Sequence, residues 1–152
     1  MLKEFVEKKH YKFAQSAPSW QDAIRMSCEP LVADGTVEKE YAEDIVECIT
    51  KYGPYIVIMP NVAMPHSQEY AEGVHKTAIS FMKLEEPVSF EEGNPEMDAK
   101  LFFTLASCDS EQHLKNMQRL SELMMNGDAI EALMDAKTPG DLVEIADKYL
   151  AK

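Results

Sequence analysis

Nothing in this chain approaches the roughly 18 consecutive apolar residues that span a bilayer, and Met1-Leu2-Lys3-Glu4-Phe5 scatters charge where a secretory leader would be apolar. A cytoplasmic location is expected. Cysteine is scarce: Cys28, Cys48 and Cys108 form no close-spaced pair, and an odd count in 152 residues argues against a disulfide framework or a zinc knuckle. Positive charge is in deficit too. With 15 basic residues against 27 acidic ones the formal charge is -12, a field that repels phosphate backbones and anionic headgroups, so no nucleic acid is expected as a partner. A basic protein surface is what such a field attracts. The chain also lacks G-x-x-x-x-G-K-[ST], G-x-S-x-G and G-x-G-x-x-G, which removes the common nucleotide-binding and hydrolase readings. It has no local H-x-x-x-H pair, so a metal site would need tertiary assembly, and no metal is expected.

What is present is a chain with 45% hydrophobic residues spread along its length, enough to bury one core, and one domain over residues 1–152 is expected. Residues 1–18 read as an irregular or strand-like lead-in ending at Pro18. Ser19 is an N-cap with Asp22 three residues on, and Trp20, Ala23, Ile24, Cys28, Leu31 and Val32 recur at helical spacing up to Asp34-Gly35, around Pro30. A second helix over residues 38–51 places Tyr41, Ile45, Cys48 and Ile49 on one face and stops at Gly53-Pro54. Tyr55 to Met59 is a short β-branched run between prolines and reads as a buried strand. Two more strands are expected at 77–84 and 100–107, with a loop from Glu85 to Pro95 between them. Helix returns from Glu111, and Thr138-Pro139 announces a last one. The order predicts an α/β fold, a mixed sheet sandwiched between helices.

Chemistry in such a chain has to come from histidine. His66 follows an apolar segment and Pro65, whose ring removes one backbone freedom, so it is held stiffly at a strand end, where α/β folds place their ligands. His113 shares a helical stripe with Met117, Leu120 and Met124 while sitting in the first turn of its helix. Asp109 or Ser110 caps that turn, and amides at a helix start suit a phosphoryl group. His10 lies among lysines and reads as a solvated surface residue, and His75 as an exposed strand start. The cysteines read as small apolar residues on element faces.

The run Tyr52-Gly53-Pro54-Tyr55-Ile56-Val57-Ile58-Met59-Pro60-Asn61-Val62-Ala63-Met64-Pro65-His66 resembles the phosphorylation segment of the mannitol/fructose-type enzyme IIA domains of the sugar phosphotransferase system, most closely their ascorbate branch. The resemblance continues through Gly73-Val74, Lys76-Thr77, Pro87-Val88-Ser89-Phe90 and His113 with Met117 and Leu120. It implies that His66 is the phosphoryl acceptor and His113 the second histidine that supports the group. It also implies a donor, the phosphocarrier HPr, and an acceptor, a cysteine of enzyme IIB, which serves membrane enzyme IIC; both IIB and IIC are expected on separate chains. L-ascorbate or a related sugar or polyol is the implied cargo. An enzyme IIA-like regulator, whose phosphorylation changes partner binding, is the alternative. Two features depart from the pattern: the mannitol branch carries an arginine upstream of this strand where this chain has Ile49-Thr50-Lys51-Tyr52, so the guanidinium contact is missing or replaced by Lys51, and Ser67 stands where glycine commonly follows the histidine. An unperturbed imidazole, with a pKa of about 6.5, is mostly neutral and nucleophilic near pH 7, and phosphoryl transfer needs positioning and charge stabilisation above all. No cofactor is required.

Overall fold

Leu2 and Phe5, one helical turn apart, are both buried on a short helix, α1 (Leu2–Lys8), closed by Lys9 in the left-handed conformation at φ 58°. The chain then enters a strand, β1 (Tyr11–Ala14). The lead-in expected to be irregular therefore holds two elements; the lysines on the outer side of α1 obscure the apolar pair. The computed structural model describes residues 1–67 and 73–150.

The next two helices follow the sequence closely. Ser19 Oγ accepts from the Asp22 amide at 3.2 Å and starts α2 (Trp20–Ala33), which carries Pro30 inside it. Helix α3 (Glu40–Tyr52) buries Tyr41, Ile45, Cys48 and Ile49 and ends at Gly53, whose φ of 86° suits a residue without a Cβ. The apolar run after it is not one buried strand. It divides at Pro60 into β2 (Val57–Met59) and β3 (Asn61–Ala63), which pair antiparallel. Asn61, at φ 72°, makes the reversal. β2 lies at the sheet edge with Ile58 45% exposed, and Val62 and Ala63 of β3 supply the buried positions.

Strand β4 (Ala78–Ser89) runs through Glu85, Glu86 and Pro87, residues expected in a loop. The register with its partner β5 (Asp98–Ala106) shifts between Lys83 and Val88, and an irregularity of this kind accommodates a proline that cannot donate to the ladder. The sheet order is β1-β4-β5-β3-β2. β1 is parallel to β4, β4 antiparallel to β5, and β3 parallel to β5.

After β5, α4 (Ser110–Met125) and α5 (Gly127–Asp135) are separated at Asn126, whose side chain accepts from the Ala129 amide. Thr138 and Asp141 form a capping box at the start of α6 (Pro139–Ile145). Alternation along β5 divides the core between the two faces. Leu101, Phe103 and Leu105 pack with α1, α4, α5 and α6, while Phe102 and Ala106 pack with α2 and α3. This is the expected α/β sandwich around a mixed sheet. Among the described residues no helix is long and apolar enough to cross a membrane.

Candidate active site

Because β3 and β5 are parallel, the segment that follows β3 and the helix that follows β5 emerge at one end of the sheet. His66 lies on the first and His113 on the second, so the fold brings together the two histidines singled out in the sequence. Pairing continues past β3: Met64 N–H donates to the Ile56 carbonyl at 2.8 Å and Leu105 N–H to the Pro65 carbonyl at 2.9 Å. His66 is thus held to the sheet although it stands beyond the strand. Its Nδ1 lies 2.6 Å from the Met64 carbonyl. A carbonyl can only accept, so Nδ1 carries the proton and Nε2 keeps its lone pair.

Two tyrosines fix the backbone on either side of this imidazole. Tyr55 packs its ring edge-on to His66, with centroids 5.2 Å apart, and its hydroxyl donates to the His66 carbonyl. Tyr41 donates to the Leu105 carbonyl at 2.5 Å, and the Ser67 amide bonds the Tyr41 oxygen. Burial drives the Tyr41 hydroxyl well above the ordinary tyrosine range, so it stays protonated as a donor. Cys48, two helical turns beyond Tyr41 on the same face of α3, places Sγ 3.6 Å from Ser67 Oγ. These contacts went unread in the sequence. Tyr41 was visible only as a core position and Tyr55 only as a strand residue, and neither periodicity reports that the chain returns beside them.

Burial lowers the His66 pKa below the ordinary histidine value; the Met64 hydrogen bond opposes this, and the field of nearby His113 adds to it. The ring is therefore neutral near pH 7. His113 is half-buried in the first turn of α4, and its Nδ1 is buried without a hydrogen-bond partner among the described residues. The helix start itself is already occupied: Asp109 accepts from the Glu111 amide at 3.0 Å and the Gln112 amide at 3.4 Å. The amides of Glu111 and Gln112 are thus not available to an anion.

Other expectations need correction. His10 is not solvated: it is 4% exposed and its Nε2 meets Asp34 at 2.5 Å. Lys8 ends α1, Lys9 caps it and Lys12 lies on β1, whereas His10, in the link just before β1, turns inward. His75 is exposed as expected and meets Glu38 at 3.2 Å. Cys28 and Cys48 are buried, with the Cys28 thiol pushed up to about 12 by burial, but Cys108 is exposed in the loop before α4. Lys51 holds Nζ 5.1 Å from the Tyr52 ring centroid. Among the described residues no three His, Cys, Asp or Glu side chains converge as a metal site would need.

Comparison with known proteins gives this geometry a family. The chain is 29% identical over 144 residues to the ascorbate-specific phosphotransferase system EIIA component of Escherichia coli K12, covering 93% of this chain and 92% of that one. It is 31% identical over 147 residues to the mannitol-specific cryptic phosphotransferase enzyme IIA component of the same organism, covering 97% and 98%. The solution structure of the Escherichia coli mannitol-specific cryptic enzyme IIA superposes with a TM-score of 0.80 at 32% identity, over 95% of this chain and 96% of that one. The profile described as "Phosphoenolpyruvate-dependent sugar phosphotransferase system, EIIA 2" matches residues 4–149, and the chain belongs to that family.

Proposed function

We propose that the chain is a phosphoryl carrier that takes the group from the histidine of phospho-HPr onto His66 Nε2 and yields it to a cysteine of enzyme IIB. The observation that carries this reading is the His66 tautomer. With Nδ1 donating to the Met64 carbonyl, Nε2 is the free base, and burial keeps the ring neutral. In the forward step a new N–P bond forms at Nε2 as the donor's N–P bond breaks. The second transfer moves the same phosphoryl group to sulfur and restores the imidazole. His113 is the neighbouring group suited to stabilise the charge spread over the phosphoryl oxygens, because its Nδ1 is without a partner among the described residues while Asp109 takes the Glu111 and Gln112 amides. The cargo we propose is L-ascorbate or a related sugar or polyol, since relatives named for ascorbate and for mannitol match over nearly the whole chain.

Incubation with phosphoenolpyruvate, enzyme I and HPr should label the protein once, in an acid-labile, base-stable form. His66→Ala should abolish the label, and undiminished labelling of that variant would end the carrier reading. His113→Ala should still label His66 but about a hundred- to thousandfold more slowly, the usual cost of losing one transition-state donor. Wild-type rates in a folded His113→Ala protein would return His113 to a packing role, and label on His113 would reverse the assignment.

A further inference from the structure

A cavity of about 360 Å³ lies between α1 and α4, over the start of β4, and that volume is within the range of small-molecule sites. Its polar wall is rich in donors. Asn116 is buried and its Oδ1 accepts from the Gln112 amide group at 3.1 Å, which leaves the Asn116 NH2 group to donate. Arg119 meets Glu4 through Nη2, so Nη1 and Nε keep their N–H groups for another acceptor. Lys8 adds an ammonium on a flexible stem. His10 is fixed from behind, since Asp34 takes its Nε2 proton and Nδ1 is the remaining polar atom of the ring.

Two cationic side chains, Lys8 and Arg119, face one carboxylate, Glu4, in this wall, which reverses locally the sign of a chain at -12 overall. Surplus donors and a local positive excess select an oxyanion, and a carboxylate in the same wall can accept from a hydroxyl. We propose that this cavity binds a small hydroxylated metabolite bearing one phosphate or carboxylate, with the oxyanion on Asn116, Arg119 and Lys8 and a hydroxyl on Glu4. The site abuts the machinery of α4. Gln112 precedes His113, and the Thr77 hydroxyl in the cavity wall accepts from the Cys108 amide at 3.0 Å, just before the helix.

The test is an amide-detected NMR titration of the full unphosphorylated chain with inorganic phosphate, glucose 6-phosphate, glucuronate and glucose. Saturable shifts at Thr77, Gln112 and Asn116 are expected with glucose 6-phosphate or glucuronate, and glucose should bind at least about tenfold more weakly, as loss of a charge-assisted hydrogen bond implies. Whichever of the two acids saturates first identifies the oxyanion, and weaker binding of inorganic phosphate than of glucose 6-phosphate would show that the hydroxyls contribute. Asn116→Asp, which keeps the side-chain shape but adds a carboxylate, should weaken binding by about tenfold or more. Lys8→Ala, at an exposed position, should weaken it while the circular dichroism of the chain stays unchanged. Absence of saturable shifts, equal binding of glucose, unchanged binding in both variants, or shifts confined to residues around His66 would each overturn the proposal. The titration does not depend on His66 carrying a phosphoryl group.

Discussion

His66 can use only one of its two ring nitrogens, and the backbone decides which. The Met64 carbonyl, two residues back, takes the Nδ1 proton at 2.6 Å, so the tautomer is set by the local turn through Pro65. Nitrogen-detected NMR of His66 should therefore show Nδ1 protonated and Nε2 bare at pH 7.5, with a midpoint below about 6.5, the value of an unperturbed imidazole. A midpoint above that value, or the opposite tautomer, would contradict the geometry. The sign of the linked effect on stability follows. The folded-state pKa is depressed by burial, so the unfolded chain takes the proton first. The full stability of the neutral ring is present above about pH 6.5 and is lost as pH falls through the window toward the lowered folded value. The places of His66 beyond a strand and of His113 in a helix's first turn were legible because proline, strand end and helical stripe are local patterns, while the roles proposed for them came from the family resemblance. Tyr55, Tyr41 and the buried His10 were not, because their partners are brought to them by the reversal at Pro60-Asn61 and by the packing of α2 against the sheet.

The element that carries the second histidine depends on a single cap. Asp109 accepts from two amides of the first turn of α4 while its own carbonyl takes the His113 amide at 2.9 Å. Loss of such a cap costs about 0.5–2 kcal/mol, which for a domain of this size is a fall of roughly 2–4 °C in Tm per kcal/mol. Asp109→Ala should show that fall by calorimetry, whereas Asp109→Asn, nearly equal as a cap, should show little. Identical Tm values for the two variants would mean that tertiary packing through Leu120 and Leu123 alone fixes the helix. Elements with local start and stop signals, α2, α3 and α6, were readable from their caps and glycines. The helix α1 was hidden by flanking lysines, and the continuation of β4 through Glu85-Glu86-Pro87 by residues that read as loop. In both, the sheet or the facing helices override local preference: α1 is held by Leu2 and Phe5 in the core, and the far end of β4 by Val88 opposite Ala99.

At the scale of the whole molecule the proposed function predicts that the charge of -12 acts on approach and not on the bond-making step. On the proposed function, phosphoryl transfer at His66 would need only groups within a few ångströms, but the donor would first have to arrive with its own histidine facing this end of the sheet. HPr, which the family leads us to expect with a basic face, would be drawn by the long-range field and oriented before contact. The reach of that field is set by salt, about 30 Å at ~0.01 M and about 3 Å at ~1 M. Across that range the association rate for HPr, measured by stopped-flow fluorescence, should fall by about tenfold or more, while single-turnover transfer within the formed complex stays nearly constant. A rate of association indifferent to salt would remove electrostatic steering and leave shape complementarity as the basis of encounter. A transfer step that slowed in parallel with association would show that charge acts inside the complex, where the groups at hand are Asp109 and Glu111 at the start of α4.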